Sequence, residues 1–356
     1  MSMRNLIAGV LAASVLMAQQ PAKPPEAQAP ASADISIDFT FVMAPVIVHD
    51  LRGDIVNGLT PLDFELYDNG QLQKITEDAT SHPISMVVAV QASANMDKLL
   101  PNIRKIGSLF SGLILGESGE IAVLAFDHRI QTMTEFTSDA DKISAAFQKI
   151  KIGSSPSHLN DAAMKGVNML RTRDRTHRRV LLLIAETRDN GSEMGVRDVL
   201  TEAEFRDITV YTVEVSHLLT SLTSKAEPPR PRAIPPEARH LPAGIIGTQT
   251  TDAQQNMGDY SPAIKEIFTA VKAIFVSNPQ EVYTKYTGGR EFSYMTQKGL
   301  EQAISSIGEE IHSQYLLTYL PNNPGEAGYH EIEVKVLKSG LKVTTRPGYW
   351  TAAKPQ

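Results

Sequence analysis

Between residues 84 and 215 the sequence alternates uninterrupted apolar runs with amphipathic segments of helical period, and that alternation limits what the chain can fold into. Residues 84–90 (ISMVVAV) and 180–185 (VLLLIA) are almost wholly apolar. A strand with one wet face alternates polar and apolar residues, so such runs predict central strands covered on both faces, as in parallel sheets. Leu99, Leu100, Ile103, Ile106, Phe110, Leu113 and Ile114 recur at helical spacing, which predicts one helix with Pro101 in its first turn, where its missing N–H costs nothing. Apolar runs at 121–126 and 130–136 are separated only by Asp127, His128 and Arg129, which predicts a hairpin. Further helices are predicted over 139–150, 161–170 and 196–205, and a strand over 208–215. A βα series with one antiparallel excursion is the pattern of a doubly wound, mostly parallel sheet.

Strand signals flank this core on both sides. Ile35, Ile37, Phe39 and Phe41 alternate with Ser36, Asp38 and Thr40, residues 46–48 continue the pattern, and residues 63–71 run into Asn69 and Gly70. That pair tolerates the positive φ angles of a tight hairpin turn. After a helical pattern at Leu300, Ile304, Ile307 and Ile311, strands are predicted over 315–320, 329–337 and 341–345. Neither set suffices for a stable layer, so residues 34–82 and 314–350 are expected to build a small β-rich subdomain jointly, beside an α/β domain at 83–313. Within that domain, six prolines between Pro228 and Pro242 mark residues 217–261 as a long irregular loop. Helical period returns at Ile264, Ile267, Phe268, Val271 and Ile274.

At the amino end Arg4 precedes an uncharged run of 12 residues, 6–17, well short of the roughly 20 that span a bilayer. Residues 1–20 therefore read as a signal peptide and the Pro- and Ala-rich residues 21–33 as an extended linker, so the protein is expected to be exported to the periplasm or beyond. No second run is long enough to span a membrane, so no transmembrane helix is expected in the mature chain. The absence of cysteine excludes disulfides, thiolate metal sites and cysteine nucleophiles. A net charge of −6 gives no electrostatic reason to expect a nucleic-acid partner.

Enzyme chemistry has no sequence signature here. There is no Gly-x-Ser-x-Gly elbow, no His-Glu-x-x-His, no Walker loop and no Gly-x-Gly-x-x-Gly, and the nine histidines are scattered without ligand spacing. Glu309 and Glu310 fall on adjacent helix positions and read as a solvated face. Arg171, Arg173, Arg175, Arg178 and Arg179 lie between a predicted helix end and a strand, where cations complement the helix dipole. Tyr315, Tyr319, Tyr329, Tyr349 and Trp350 read as packing within the terminal strands. The chain is expected not to be an enzyme.

The order of elements, together with LDFELYDNG at 62–70, PISMVVAVQASANM at 83–96, SHLNDA at 157–162, LLLIAETRDNGS at 181–192, TGG at 287–289, QYLLTYLP at 314–321 and RPGY at 346–349, resembles the von Willebrand factor type A (VWA) fold. The resemblance is specifically to the VWFA-related acidobacterial domain and spans about residues 35–350. It implies a VWA-like sheet whose strand-order reversal opens a crevice. Many members of that class hold a divalent cation there, with a first loop reading Asp-x-Ser-x-Ser, a Thr from a second loop and an Asp from a third. The matching positions here are Gln91, Ser93 and Asn95, then Ser157, then Glu186. Only Ser93 is unchanged. Either Ser93, Ser157 and Glu186 still hold a Mg²⁺ or Ca²⁺, or these groups hydrogen-bond one another and cap the helix that follows. Losing the first carboxylate weakens a site that Mg²⁺, reluctant to shed water, occupies weakly, so no bound metal or other cofactor is expected. The resemblance thus implies a noncatalytic protein-recognition module, with Met96, Asp97, Arg188 and Asp189 placed to touch a protein partner. The alternatives are a metal-dependent adhesin and, further off, a secreted hydrolase that would use His158 beside the crevice as a base.

Overall fold

The computed structural model describes residues 41–78, 82–116, 119–174, 176–186, 188–215, 278–322 and 328–351. All lie in one compact unit, Phe39–Gln356. The expected signal segment and linker, the strand residues before 41, the long loop at 217–261 and the helical pattern around Ile264 fall outside the described residues.

The described chain opens with β1 (Val42–Asp50), β2 (Phe64–Asp68), β3 (Gln71–Gln73) and β4 (Ile75–Asp78). The turn between β2 and β3 holds Asn69 at φ 48° and Gly70 at φ 75°, the two left-handed residues that a tight hairpin needs. The middle of the chain supplies β5 (Ile84–Gln91), α1 (Leu100–Ile103), α2 (Gly107–Phe110), β6 (Glu120–Phe126), β7 (Ile130–Thr137), α3 (Ala140–Lys149) and α4 (Leu159–Arg171). It continues with β8 (Arg178–Glu186), α5 (Val196–Phe205), β9 (Ile208–Val215), α6 (Pro279–Thr287), β10 (Glu291–Tyr294) and α7 (Gln297–Ser313). The chain closes with β11 (Tyr315–Tyr319), β12 (Gly328–Val336), β13 (Leu341–Thr345) and β14 (Gly348–Thr351). The sequence reading did not anticipate α6, β10 or β14 as elements.

Six strands form one sheet in the order β10-β9-β8-β5-β6-β7. All neighbours are parallel except β7, which returns antiparallel along β6. This is the doubly wound, VWA-like arrangement expected. Every residue of β5 and β8 is buried, because helices cover both faces. Alternate β5 side chains enter different cores, Met86, Val88 and Val90 meeting Ile103, Phe110, Phe147, Ile304 and Ile307 on one face. Val87 and Ala89 meet Leu159, Val167, Leu181, Leu200 and Tyr283 on the other. Helix α4 comes so near the sheet that a Cβ on Gly166 would lie 2.6 Å from the Leu181 side chain. A larger residue there would have to displace the Leu181 methyl from its place in the core.

The helix expected from Leu99 onward is not continuous. Residues 100–115 pass through α1, a 3-10 turn at Arg104–Ile106, α2 and a π turn at Ser111–Leu115. Pro101 does sit at the start, as its missing N–H requires. The apolar spacing still buries Ile103, Ile106, Phe110 and Ile114 on the sheet, so packing is met while the backbone winding varies. At Gly107 a Cβ would lie 3.0 Å from the Ser144 Cα, so the segment is squeezed against α3 where the winding changes.

The terminal strands interleave in two antiparallel sheets, β13-β1-β11-β4 and β14-β12-β2-β3. Each sheet draws on both ends of the chain, for example β1 against β11 and β2 against β12. Their shared core holds Val42, Ala44, Val46, Val48, Phe64, Leu66, Leu317, Tyr319, Ile332 and Val334. Alternate residues of β2 and β12 face inward, and that two-residue period is what the sequence displays there.

Candidate functional site

The strand order reverses between β5 and β8: β5 leads to β6 on one side, and the chain then crosses to β8 on the other. Loops leaving the carboxyl ends of two such strands diverge and open a crevice. Gln91 ends β5 and Glu186 ends β8, which sets these two side chains at the mouth of that reversal.

Four of the five residues singled out in the sequence are bonded together there. Gln91 Nε2 donates to Ser93 Oγ at 2.7 Å and to Glu186 Oε2 at 3.1 Å, and Asn95 Nδ2 donates to the same Glu186 oxygen at 3.2 Å. The Glu186 N–H in turn donates to Gln91 Oε1 at 2.8 Å. That last bond pins the amide, since the reverse orientation would set its NH₂ against another N–H. Gln91 and Ser93 are fully buried and Glu186 nearly so, with Asn95 half-buried.

Ser157 stands apart. Its backbone carbonyl accepts from Asn190 N–H at 2.8 Å, which ties the second loop to the third, but its buried Oγ has no hydrogen-bond partner. The loop carrying it is held to the first by Gly153 N–H to Ala92 O and by Ala94 N–H to Ser154 O. Ser93 precedes a 3-10 turn at Ala94–Met96 without a side-chain cap bond, so the cap expected of these residues is absent.

Two residues the sequence reading did not single out hold the loops at the strand-order reversal. Asp127, at the carboxyl end of β6 and 2% exposed, accepts from the N–H groups of Ser154 and Arg129 at 2.8 and 2.7 Å and meets the Arg129 guanidinium at 3.3 Å. Burial alone pushes its carboxyl up, but these bonds and the nearby His128 outweigh it and hold the group far below the usual carboxylate range. Its signal in the sequence was a lone acid directly after an apolar strand, at a strand end bordering the reversal. Gln280, on α6 and fully buried, donates to the Glu186 carbonyl at 2.6 Å. No local pattern marks it.

The residues expected to meet a partner divide. Met96 is fully buried in the core and cannot touch one, because the 3-10 turn rotates it inward. Asp189 spends its carboxylate on the N–H groups of Asn160 and Ser192, fixing the start of α4. Asp97 and Arg188 are exposed beside the crevice. His158 lies 3.4 Å from Asp161, which itself accepts from the Glu193 and Met194 N–H groups. Of the basic stretch, Arg173 clasps Glu120 at 2.7 and 2.9 Å, and Arg178 donates to the Ile311 carbonyl near the end of α7, a structural use. Arg175 lies outside the described residues.

In chemical terms the crevice offers a single carboxylate among the five residues, with one of its oxygens already taking two amide hydrogens. As bonded, that donor set does not suit a hard divalent cation, which wants several oxygen lone pairs turned inward. Among the described residues no group of three or more His, Asp or Glu side chains is placed to hold a metal ion. None of the described helices is long and apolar enough to cross a membrane.

No protein-family model matches the sequence, and no curated protein matches it. Solved structures similar to this one include the conserved hypothetical protein BatB of Bacteroides thetaiotaomicron, at 14% identity over 64% of this chain and 99% of that one, with a TM-score of 0.40. An aerotolerance-related membrane protein of Bacteroides fragilis is 12% identical over 64% of this chain and 99% of that one, with a TM-score of 0.39. The VWA domain of SpRpn10 is 8% identical, covering 39% of this chain and 79% of that domain, with a TM-score of 0.31.

Proposed function

We propose that the chain is an exported, noncatalytic recognition module that engages a protein partner at this crevice without a resident metal ion. The observation that carries the reading is the Gln91 amide. Its hydrogens bridge Ser93 and Glu186, the oxygens a cation would otherwise draw on, while its own oxygen is committed to the Glu186 N–H. A neutral donor thus does the joining between loops that a metal does in a carboxylate-rich crevice. Exposed Asp97 and Arg188 then present one charge of each sign at the rim for a partner.

Catalysis lacks support from side-chain geometry. Two Ser-His-acid clusters exist among the described residues, Ser154 with His128 and Asp127, and Ser85 with His177 and Glu120. A proton relay needs the serine on one ring nitrogen and the acid on the other. In both clusters the two contacts fall on the same Nδ1, and Ser85 is fully buried.

The unpartnered Ser157 hydroxyl is the feature that favours the alternative, a metal-dependent adhesin keeping a weakened Mg²⁺ or Ca²⁺ site. Calorimetry separates the two. The native chain is expected to show no saturable binding of Mg²⁺, Mn²⁺ or Ca²⁺ below millimolar levels, and the Gln91→Asp, Asn95→Ser double variant to gain it. Micromolar affinity in the native chain would overturn the metal-free reading. A photo-crosslinker placed at Arg188 is expected to capture the same partner with and without EDTA, and capture lost on chelation would restore the adhesin.

A further inference from the structure

Among the described residues six large apolar side chains are exposed, Phe41, Leu51, Leu62, Leu72, Met295 and Leu337, and three of them gather at one end of the two-sheet sandwich. Strand register fixes that end. Asp50, the last residue of β1, pairs with Leu341 at the start of β13, and Val336, the last of β12, pairs with Phe64 at the start of β2. Three loops meet there: the turn after β1 with Leu51, the 3-10 turn at Pro61–Asp63 with Leu62, and residues 337–340 with Leu337. The Leu337 N–H donates to the Asp63 carbonyl at 2.8 Å, and Leu51 lies 4.0 Å from where a Cβ on Gly340 would stand, so the loops touch. Leu51, Leu62 and Leu337 are 75%, 88% and 59% exposed. Loop tips are ordinarily polar, and one exposed leucine calls for no account, but three at one pole do.

Size and charge decide what can cover them. Fully burying a leucine removes on the order of 100 Å² from water, so the three offer about 300 Å² at most. A stable dimer or protein complex buries roughly 800 Å² per partner, which leaves this pole too small to found either. The anchors usual in protein interfaces, aromatic rings and free guanidinium groups, are also missing from these loop tips. Arg52 is held by Asp50 at 3.2 Å and Asp54 at 3.5 Å, and Lys338 by Asp63 at 3.1 Å, so the pole has no positive surplus. A lipid surface sets neither requirement, because it deforms around each side chain separately and the gains add.

We propose that this pole rests on a lipid bilayer, with Leu51, Leu62 and Leu337 each dipping into the boundary between headgroups and acyl chains. Three leucine side chains hold less hydrocarbon than one myristoyl chain, whose own binding is marginal and reversible, so attachment is expected to need on the order of millimolar lipid. Without a positive surplus, the pole is expected to take zwitterionic lipid as readily as anionic lipid and to keep its hold in salt. The inference is independent of the crevice reading, since none of these loops carries a crevice residue.

The chain has no cysteine, so a single introduced one can be labelled cleanly. Full-length protein carrying Leu62→Cys with an environment-sensitive fluorophore is titrated with phosphatidylcholine vesicles. The control is the same label at Leu72→Cys, opposite Tyr67 and so about 10 Å up β2 from the pole. The label at position 62 is expected to shift to the blue saturably and to be quenched by brominated lipid, and the label at position 72 to do neither. Both labelled chains keep residues 1–20, so whatever that segment adds is common to both. Adding Leu51→Ser and Leu337→Ser to the chain labelled at position 62, with circular dichroism confirming the fold, is expected to weaken binding at least about fivefold. No shift at position 62, an equal shift at position 72, or undiminished affinity in the folded Leu51, Leu337 variant would overturn the proposal. A blue shift that grows with protein concentration in the absence of vesicles would also overturn it, by seating a second copy on the pole.

Discussion

Two parts of this molecule bury polar side chains, and they do so to opposite ends. In the sandwich, Asp68 is fully buried, and its Oδ1 lies 2.8 Å from His330 Nδ1 while Oδ2 takes the Tyr319 and Tyr349 hydroxyls at 2.9 and 2.7 Å. Burial, the largest cause, raises both tyrosines well above the ordinary phenol value; the Asp68 carboxylate raises Tyr349 further, and Tyr349 and then Asp68 raise Tyr319. Both carboxylate oxygens are engaged, and the cluster ties β2, β11, β12 and β14 together. The crevice is built differently: Glu186 takes two amide hydrogens on one oxygen, yet the Ser157 hydroxyl and the Gln280 side-chain oxygen stay buried without partners. A polar cluster that only holds a fold closes on itself, because each unmet buried group costs free energy. At the strand-order reversal two such valences, on Ser157 and Gln280, stay open.

The contrast is sharpest at its two carboxylates. Asp68→Ala leaves an imidazole and two phenols unmatched in the sandwich core, so urea unfolding is expected to show a loss of about 3–5 kcal/mol. Glu186→Gln keeps the shape and an acceptor at the crevice, and should cost about 1 kcal/mol. Comparable losses at the two sites would break the contrast and make the crevice an ordinary piece of core.

Asp127 tests whether the crevice loops are held by charge. Asp127→Asn is expected to cost about 2 kcal/mol, since hydrogen bonds to an ionised acceptor are the stronger kind. The sign of its pH dependence follows from a folded pKa held below the unfolded one. Its stabilisation is complete above the ordinary aspartate value of about 3.9 and is lost as the pH falls below it toward the depressed folded value. Urea midpoints of the native chain should therefore drop more steeply below about pH 4 than those of the variant, and parallel acid limbs would show that Asp127 carries no special charge there.

The smallest effects are expected where valences are open. Ser157→Ala removes a hydroxyl that bonds to nothing and should change stability by less than about 0.5 kcal/mol, and EDTA should leave the thermal midpoint where it was. A loss above about 1 kcal/mol, or a midpoint lowered by chelation, would reveal an occupant that this hydroxyl serves.

Much of the architecture was legible one residue at a time. The unbroken apolar runs of β5 and β8, the alternation in β2 and β12, and Asn69-Gly70 each state a local requirement that only one backbone answers. Short elements without such a statement were not legible: β10 is 4 residues and β14 is 4, too brief for a period to show. The broken winding of residues 100–115 was hidden because apolar spacing reports which face is buried, and not how the backbone turns between buried points.

By itself, then, the sequence determined most of the strands and helices and the burial of both faces of the central sheet, while the family resemblance pointed to Gln91, Ser93, Asn95 and Glu186 as neighbours. Only the tertiary structure decided that Asp127 and Gln280 support the crevice, that Met96 turns inward, and that Leu51, Leu62 and Leu337 meet at one pole from distant points in the chain. Periodicity and turn chemistry act over a few residues and are written along the chain. Which buried donors find acceptors depends on contacts such as that between Arg178 and Gln314, 136 residues apart, which exist only once the layers have packed.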